Sequence, residues 1–305
     1  MIYYGWSGLD IMDRPIWRAA RELYLKDCVV EALAETERVG GFDCNDIAAE
    51  AAVREKGKTW DVRDWLTVEA IPAEAGDRLP QVLEVIGTEC ESLSKLFGWD
   101  NREAIVVTFL PREYEAPWMP GRWGYFVDKV PYDKICLPHN LLDEPTEMRR
   151  TVRHEFMHSI TLNLSNGHAP RWLAEGMSTL VEGRVSPQGW DRLAHSPDAW
   201  LDPAKLVGAL TGDFRDPSKL GAVALAYDQA SLLGLFLYLD GGADRTGALL
   251  RAAGDESLLL NVELEVLGRT RVDGALRRVY HVSEEELFDR ALAWVHNSRI
   301  PSPAF

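Results

Sequence analysis

The chain has 305 residues, 46% of them apolar and 27% charged. That is an ordinary globular composition, and it excludes a disordered, collagen-like or fibrous protein. Lys and Arg number 33 against 48 Asp and Glu, a formal charge of −15. This balance argues against a nucleic-acid backbone or an anionic membrane surface as the main partner.

In chain order, Met1 to Pro15 carries Asp10 and Asp13 and no apolar run behind a basic start. It does not read as a secretory signal, so a cytoplasmic location is expected. Cys28, Cys44, Cys90 and Cys136 form no CxxC pair and are expected to be reduced and mostly buried. Trp17 to Val39 has helical spacing and stops at Gly40-Gly41, with Trp17, Leu23, Leu25 and Val29 on an apolar face. Asp46 to Lys56 reads as a second helix closed by Gly57. Lys58 to Gly76 mixes charges, Trp60, Trp65 and Pro72 and has no clear period. Leu79 to Phe97 is helical again and ends at Gly98.

The pattern then changes. Ala104 to Leu110 is a short β-branched run bounded by Asn101 and Pro111, which predicts a strand. A loop rich in Pro, Gly and aromatics follows, with Trp118, Trp123 and Tyr125 as candidates to line a cleft. Lys134 to Leu137 is a second strand candidate, stopped by Pro138. Beyond Asp143 the chain reads as helices and connections. In the first of these, Asp143 is the expected N-cap and Pro145 sits in the first turn. Met148, Val152, Phe156 and Ile160 form its apolar stripe. Leu220 to Leu239 is long enough to span a bilayer, but Asp228 and Gln229 interrupt it and Asp240-Gly241-Gly242 ends it. A buried core helix, with no membrane span, is the expectation. The final helix opens with a capping box, Ser283 to Glu286, and buries Leu287, Ala291 and Trp294. Helices, a small sheet and more helices make an α+β arrangement.

The chemistry lies in His154-Glu155-Phe156-Met157-His158, an HExxH pattern inside the best-marked helix. At 100° per residue the two histidines fall about 40° apart and one turn along, so both imidazoles can reach one ion. Glu155 falls about 60° from His158, placed to act on a water rather than on the metal. Ala169 to Gly176 opens the next helix and carries Glu175, a third ligand, with Gly176 allowing a close backbone approach. Two His and one Glu leave the open fourth position of a catalytic zinc site. His168, in the loop, competes with Glu175 as third ligand; a helix fixes a ligand better than a loop does. The extension HExxHxxGxxH is excluded, because Thr161 and Leu164 stand where Gly and His are needed. His139 could face a cleft, whereas His195, His281 and His296 have no partner pattern.

HEFMH followed by PRWLAEGMS resembles the gluzincin zinc peptidases, in particular their compact peptidase MA-like branch. The resemblance covers about residues 79 to 297. It implies a thermolysin-like catalytic core, with KICLP as the edge strand that an extended peptide could join. It also implies His154, His158 and Glu175 as zinc ligands and Glu155 as general base. Thermolysin has Asp four residues after its glutamate ligand, whereas this chain has Thr179, so a histidine must find support elsewhere. Gluzincins supply an oxyanion donor from a Tyr or His on a later helix; here Tyr227 is the candidate, ahead of Tyr280 and His281.

The expected organisation is a helical N-terminal extension packed on the core (1–78), a helix plus small β-sheet (79–145) and a helical zinc-binding catalytic subdomain (146–305). The expected activity is zinc-dependent hydrolysis of a peptide or protein substrate. A zinc-containing module that binds a peptide or partner without catalysis is the alternative, as is a zinc hydrolase acting on a non-peptide bond.

Overall fold

The computed structural model describes residues 18–39, 45–100, 104–113, 124–128, 132–183, 185–210, 220–255 and 270–299. Among them the fold is α+β and mostly helical, with one five-stranded sheet. The chain divides into two compact units, residues 1–92 with 100–156, and residues 93–99 with 157–305.

The first unit is built on the sheet. Its strands are β1 (Lys58–Arg63), β2 (Leu66–Ala70), β3 (Ile105–Phe109), β4 (Tyr125–Asp128) and β5 (Asp133–Leu137), in the spatial order β1-β2-β3-β5-β4. β2, β3 and β5 run parallel, and the outer strands β1 and β4 pair antiparallel with their neighbours. Every residue of β3 and β5 is buried. Burial on both faces is why β3 and residues 135–137 of β5 read as short continuous runs rather than as an alternation. Two expectations are corrected here. Lys134 to Leu137 is not the edge strand, because β4 covers its outer side, pairing Phe126 with Ile135 and Val127 with Lys134. Nor is the stretch before residue 79 all helical, since β1 and β2 belong to the sheet.

The N-terminal helices are α1 (Arg18–Leu25), α2 (Val29–Val39) and α3 (Asn45–Lys56). The single helix expected from Trp17 to Val39 is therefore two, broken where Asp27 adopts φ 60°. Aspartate tolerates this left-handed conformation better than most residues, and Arg54 Nη2 holds its carboxylate at 2.5 Å. Ala20, Tyr24, Leu25, Val29, Ala32 and Ile47 pack in one buried cluster with Leu110, Val127 and Cys136 of the sheet region. Trp17 lies outside the described residues. α4 (Pro72–Ala75) and α5 (Leu79–Phe97) follow β2, and α5 has the bounds its spacing predicts.

α6 (Pro145–Leu164) is one continuous helix. It starts a residue later than expected: Glu144 occupies the cap position, its carbonyl accepting from Met148 N at 2.8 Å. Asp143 instead ends a short 3-10 turn, and its carboxylate pairs with Arg78. Met148, Val152, Phe156 and Ile160 are all buried, as their four-residue recurrence requires. The Phe156 ring stacks on Trp65 at 5.9 Å.

The second unit holds α7 (Arg171–Glu182), α8 (Pro187–His195), α9 (Pro203–Leu210), α10 (Leu220–Ala253), α11 (Arg271–Val279) and α12 (Glu284–Asn297). α10 is long and apolar enough to cross a membrane by length and composition alone. In this structure it is a core helix. Ala226, Ala230, Leu232, Leu233, Leu235 and Leu237 are buried, and α7 packs along it. Gln229, fully buried, is satisfied by the backbone of Leu201: its Oε1 accepts from Leu201 N at 2.9 Å and its Nε2 donates to Leu201 O at 2.8 Å. Asp228 faces Arg192 at 3.4 Å, and burial raises its carboxyl pKa against the pull of that guanidinium. Gly242, at φ 65°, breaks the helix into two segments, where the Asp-Gly-Gly sequence predicts its end. The capping box at Ser283 and Glu286 is formed, Leu287 and Ala291 are buried, and Trp294 is half-buried against Trp190 and Phe236.

Gly176 and Gly234 explain how closely α7 and α10 approach. A Cβ on Gly176 would lie 2.4 Å from Ala230 O, and one on Gly234 would lie 2.5 Å from Gly176 O. Backbone cannot yield at those distances. Gly176 thus permits a close approach, as expected, and the element approached is α10.

Cys28, Cys90 and Cys136 are free thiols; Cys90 and Cys136 are buried and Cys28 is half-buried. Burial pushes the Cys90 thiol far above its ordinary pKa, which makes it unreactive. Cys44 lies outside the described residues.

Candidate metal centre

Two successive helices present the predicted ligands. α6 carries His154 and His158 one turn apart. A short loop follows, in which Asn166 and Gly167 take positive φ. Ser165 Oγ ties the loop down, donating to Thr161 O at 2.6 Å and accepting from Ala169 N at 3.1 Å. Pro170 then stands at the N-cap of α7. Glu175 follows in the second turn of α7.

The ligand atoms of His154, His158 and Glu175 all lie within 4.8 Å of one another. His158 Nε2 stands 3.7 Å from Glu175 Oε2. Ligands of a tetrahedral zinc bound at its usual distances are about 3.3 Å apart, so small side-chain adjustments would close this set on one ion. The donors also suit the metal, since two imidazoles and a carboxylate are the set of many catalytic zinc sites. His158 and Glu175 are almost fully buried, and His154 is 9% exposed. Glu155, next to His154, is 4% exposed. His168 is half-buried in the loop and is not in the group.

Two contacts position these ligands, and neither was foreseen. Ser178 Oγ lies 3.2 Å from His158 Nδ1. Arg171 Nε lies 3.5 Å from Glu175 Oε1, an i,i+4 pair on α7. The Glu175 carboxylate is therefore oriented at both oxygens, Oε1 toward Arg171 and Oε2 toward His158. Thr179 gives no such support, because its hydroxyl donates to Glu175 O of its own helix at 2.8 Å. The spacing did hold the signal for Ser178. On a helix, i+3 falls about 60° from i, on the same face one turn on, just as i+4 does.

The remaining candidates divide. His139 is 7% exposed and bridges two charged groups. Its Nε2 accepts from Arg112 Nε and Nη2 at 3.2 and 3.1 Å, so Nδ1 carries the hydrogen toward Glu74 Oε2 at 3.3 Å. Burial holds its pKa below the ordinary histidine value, with Glu74 pulling the other way and Arg112 adding to the depression. His195 Nδ1 contacts Asp191 O at 2.7 Å on its own helix, and His281 and His296 are exposed. Trp118 and Trp123 lie outside the described residues, as does the side chain of Tyr125.

Tyr227 is half-buried on α10. Its polar neighbours Asp228 and Gln229 do not mark a cleft wall, because Arg192 and the Leu201 backbone engage them. Tyr280 is spent on structure: its hydroxyl donates to Leu237 O at 3.2 Å and meets Thr246 Oγ1 at 3.3 Å.

No family model matches this sequence, and no curated protein matches it. The chain is similar to the crystal structure of a candidate zinc-binding metallo-peptidase from Bacteroides caccae, at 15% identity over 74% of this chain and 78% of that one, with a TM-score of 0.25.

Proposed function

We propose that this protein is a zinc-dependent metallopeptidase of the gluzincin kind. One observation carries the reading: the ligand atoms of His154, His158 and Glu175 converge from two helices, and Glu155, the acid-base candidate, is the buried residue next to His154 in the chain. His154 and His158 would hold the ion from α6 and Glu175 from α7. Zinc, when bound, supplies Lewis acidity that lowers the pKa of a water to about 7 and polarises a carbonyl. Glu155 takes a proton from the attacking water on a carboxylate oxygen, then hands it to the nitrogen of the leaving amine. Burial of Glu155 and of the ligands excludes bulk water and strengthens each of these electrostatic interactions.

Elemental analysis of metal-replete protein should find one zinc per chain, and His154→Ala or Glu175→Ala should each remove it. A mixed peptide library should be cleaved by the purified protein, and a chelator should stop the cleavage. Absence of zinc in metal-replete wild type overturns the reading. Zinc without cleavage of any peptide favours a binding module or a hydrolase of non-peptide bonds.

Tyr227 is proposed as the donor to the oxygen on which negative charge develops. The alternative Tyr280 has its hydroxyl bonded to Leu237 O and against Thr246 Oγ1. Tyr227→Phe should lower kcat by about 10²–10³-fold with KM and zinc content little changed. An unchanged kcat assigns the hydroxyl to packing.

A further inference from the structure

We propose that Ser178 is a positioning residue for the metal, holding His158 in the tautomer that offers its Nε2 to the ion. The proposal rests on the zinc reading above, and its test separates the two.

The His158 ring is held between two side chains of one helix. Ser178 Oγ stands 3.2 Å from Nδ1, and Glu175 Oε2 stands 3.7 Å from Nε2. Ser178 is fully buried, so the hydroxyl meets the ring without competition from bulk water. Two residues earlier, Gly176 leaves no room for a Cβ against Ala230 O, so this turn of α7 lies directly against the backbone of α10. One turn of α7 thus carries both a ligand, Glu175, and the brace for another, Ser178.

The chemistry gives that brace a direction. An imidazole that binds a cation through Nε2 must keep its hydrogen on Nδ1, and an acceptor at Nδ1 selects that tautomer and fixes the ring plane. The serine oxygen accepts there. Being neutral, it polarises the ring less than a carboxylate would. His158 then donates less charge to the ion, which is held less tightly and remains the stronger Lewis acid.

The experiment measures zinc affinity of the full chain by competition with a chromophoric chelator, in wild type, Ser178→Ala, Ser178→Thr and Thr179→Ala. Ser178→Ala should weaken zinc binding by about 10-fold, the lower end of the usual effect of removing such a partner. Ser178→Thr, which keeps the hydroxyl, should restore most of it. Thr179→Ala should change nothing, since that hydroxyl serves its own helix. In zinc-loaded wild type, the His158 Nδ1 proton should exchange slowly by NMR. Ser178→Ala should speed that exchange and leave the His154 proton as it was. Wild-type affinity and slow exchange in Ser178→Ala would overturn the proposal while the zinc reading stands. Should Ser178→Ala fold poorly, a wild-type Nδ1 proton exchanging as fast as that of an exposed imidazole overturns it equally. A wild type that takes up no zinc overturns the reading beneath it.

Discussion

Glu155→Gln should lower peptide hydrolysis by about 10²–10⁴-fold while zinc content stays at that of wild type. The amide has almost the shape of the carboxylate, so the substitution preserves packing at a position only 4% exposed. It cannot take up a proton at neutral pH, and that is the step assigned to this residue. Glu155 is one residue along from His154 and outside the group whose atoms converge, so the metal should be indifferent to the change. Glu155→Asp keeps the acid and withdraws it by one methylene. If position matters as much as proton affinity, it should also be slow. Full activity in Glu155→Gln would remove Glu155 from the mechanism. His154→Ala provides the contrast, since it should lose zinc and activity together.

The parts of the molecule legible in the sequence are those where one period dominates. In α6 the core stripe runs through the HExxH pattern, so identifying the helix and identifying the ligands are one step. β3 was legible because a strand buried on both faces leaves an almost unbroken apolar run, and β5 through its residues 135–137 alone. β1 was not, because none of its residues is buried and its charged residues hide any alternation. β4, at four residues, is shorter than any pattern can resolve, and missing it turned β5 into an apparent edge. The break at Asp27 carries no Gly or Pro; a tertiary contact with Arg54 helps hold it. Ser178 is not legible for a different reason: support for a ligand histidine can come from i+3 as well as i+4 of the ligand glutamate, and the sequence alone does not say which.

The sheet unit contains a second constellation that a sequence could not reveal, and it sets the other large effect. Lys134, on β5, is fully buried, with Nζ 3.0 Å from Glu50 Oε2 and 3.6 Å from Glu69 Oε2. Glu50, on α3, also accepts from the Tyr24 hydroxyl of α1 and from Cys136 Sγ at 3.5 Å. Glu69, on β2, accepts from Thr108 Oγ1 at 2.9 Å and pairs with Arg54 at 2.9 Å. Polar groups from α1, α3, β2, β3 and β5 thus meet in one network centred on the buried Lys134 and Glu50. Lys134→Met should cost about 3–5 kcal/mol, because it strips a buried carboxylate of its closest cation. Adding Glu50→Gln should recover much of that loss, since removing both charges removes the desolvation they suffered. Hydrogen exchange along β2 and β5 is the suitable measure, as it reports this unit whether or not the other unfolds with it. Burial alone would lower the Lys134 pKa; Glu50, then Cys136 and Glu69, outweigh it and leave the value above that of ordinary lysine. A group with a raised folded pKa stabilises fully below its unfolded value and loses that contribution as pH climbs toward the folded one. Wild-type protection should therefore hold to about pH 10 and fall beyond it, where Lys134→Met should show no such step. A loss below about 0.5 kcal/mol in Lys134→Met would mean that Glu50 is neutral in the fold and that the network is held by hydrogen bonds rather than by charge.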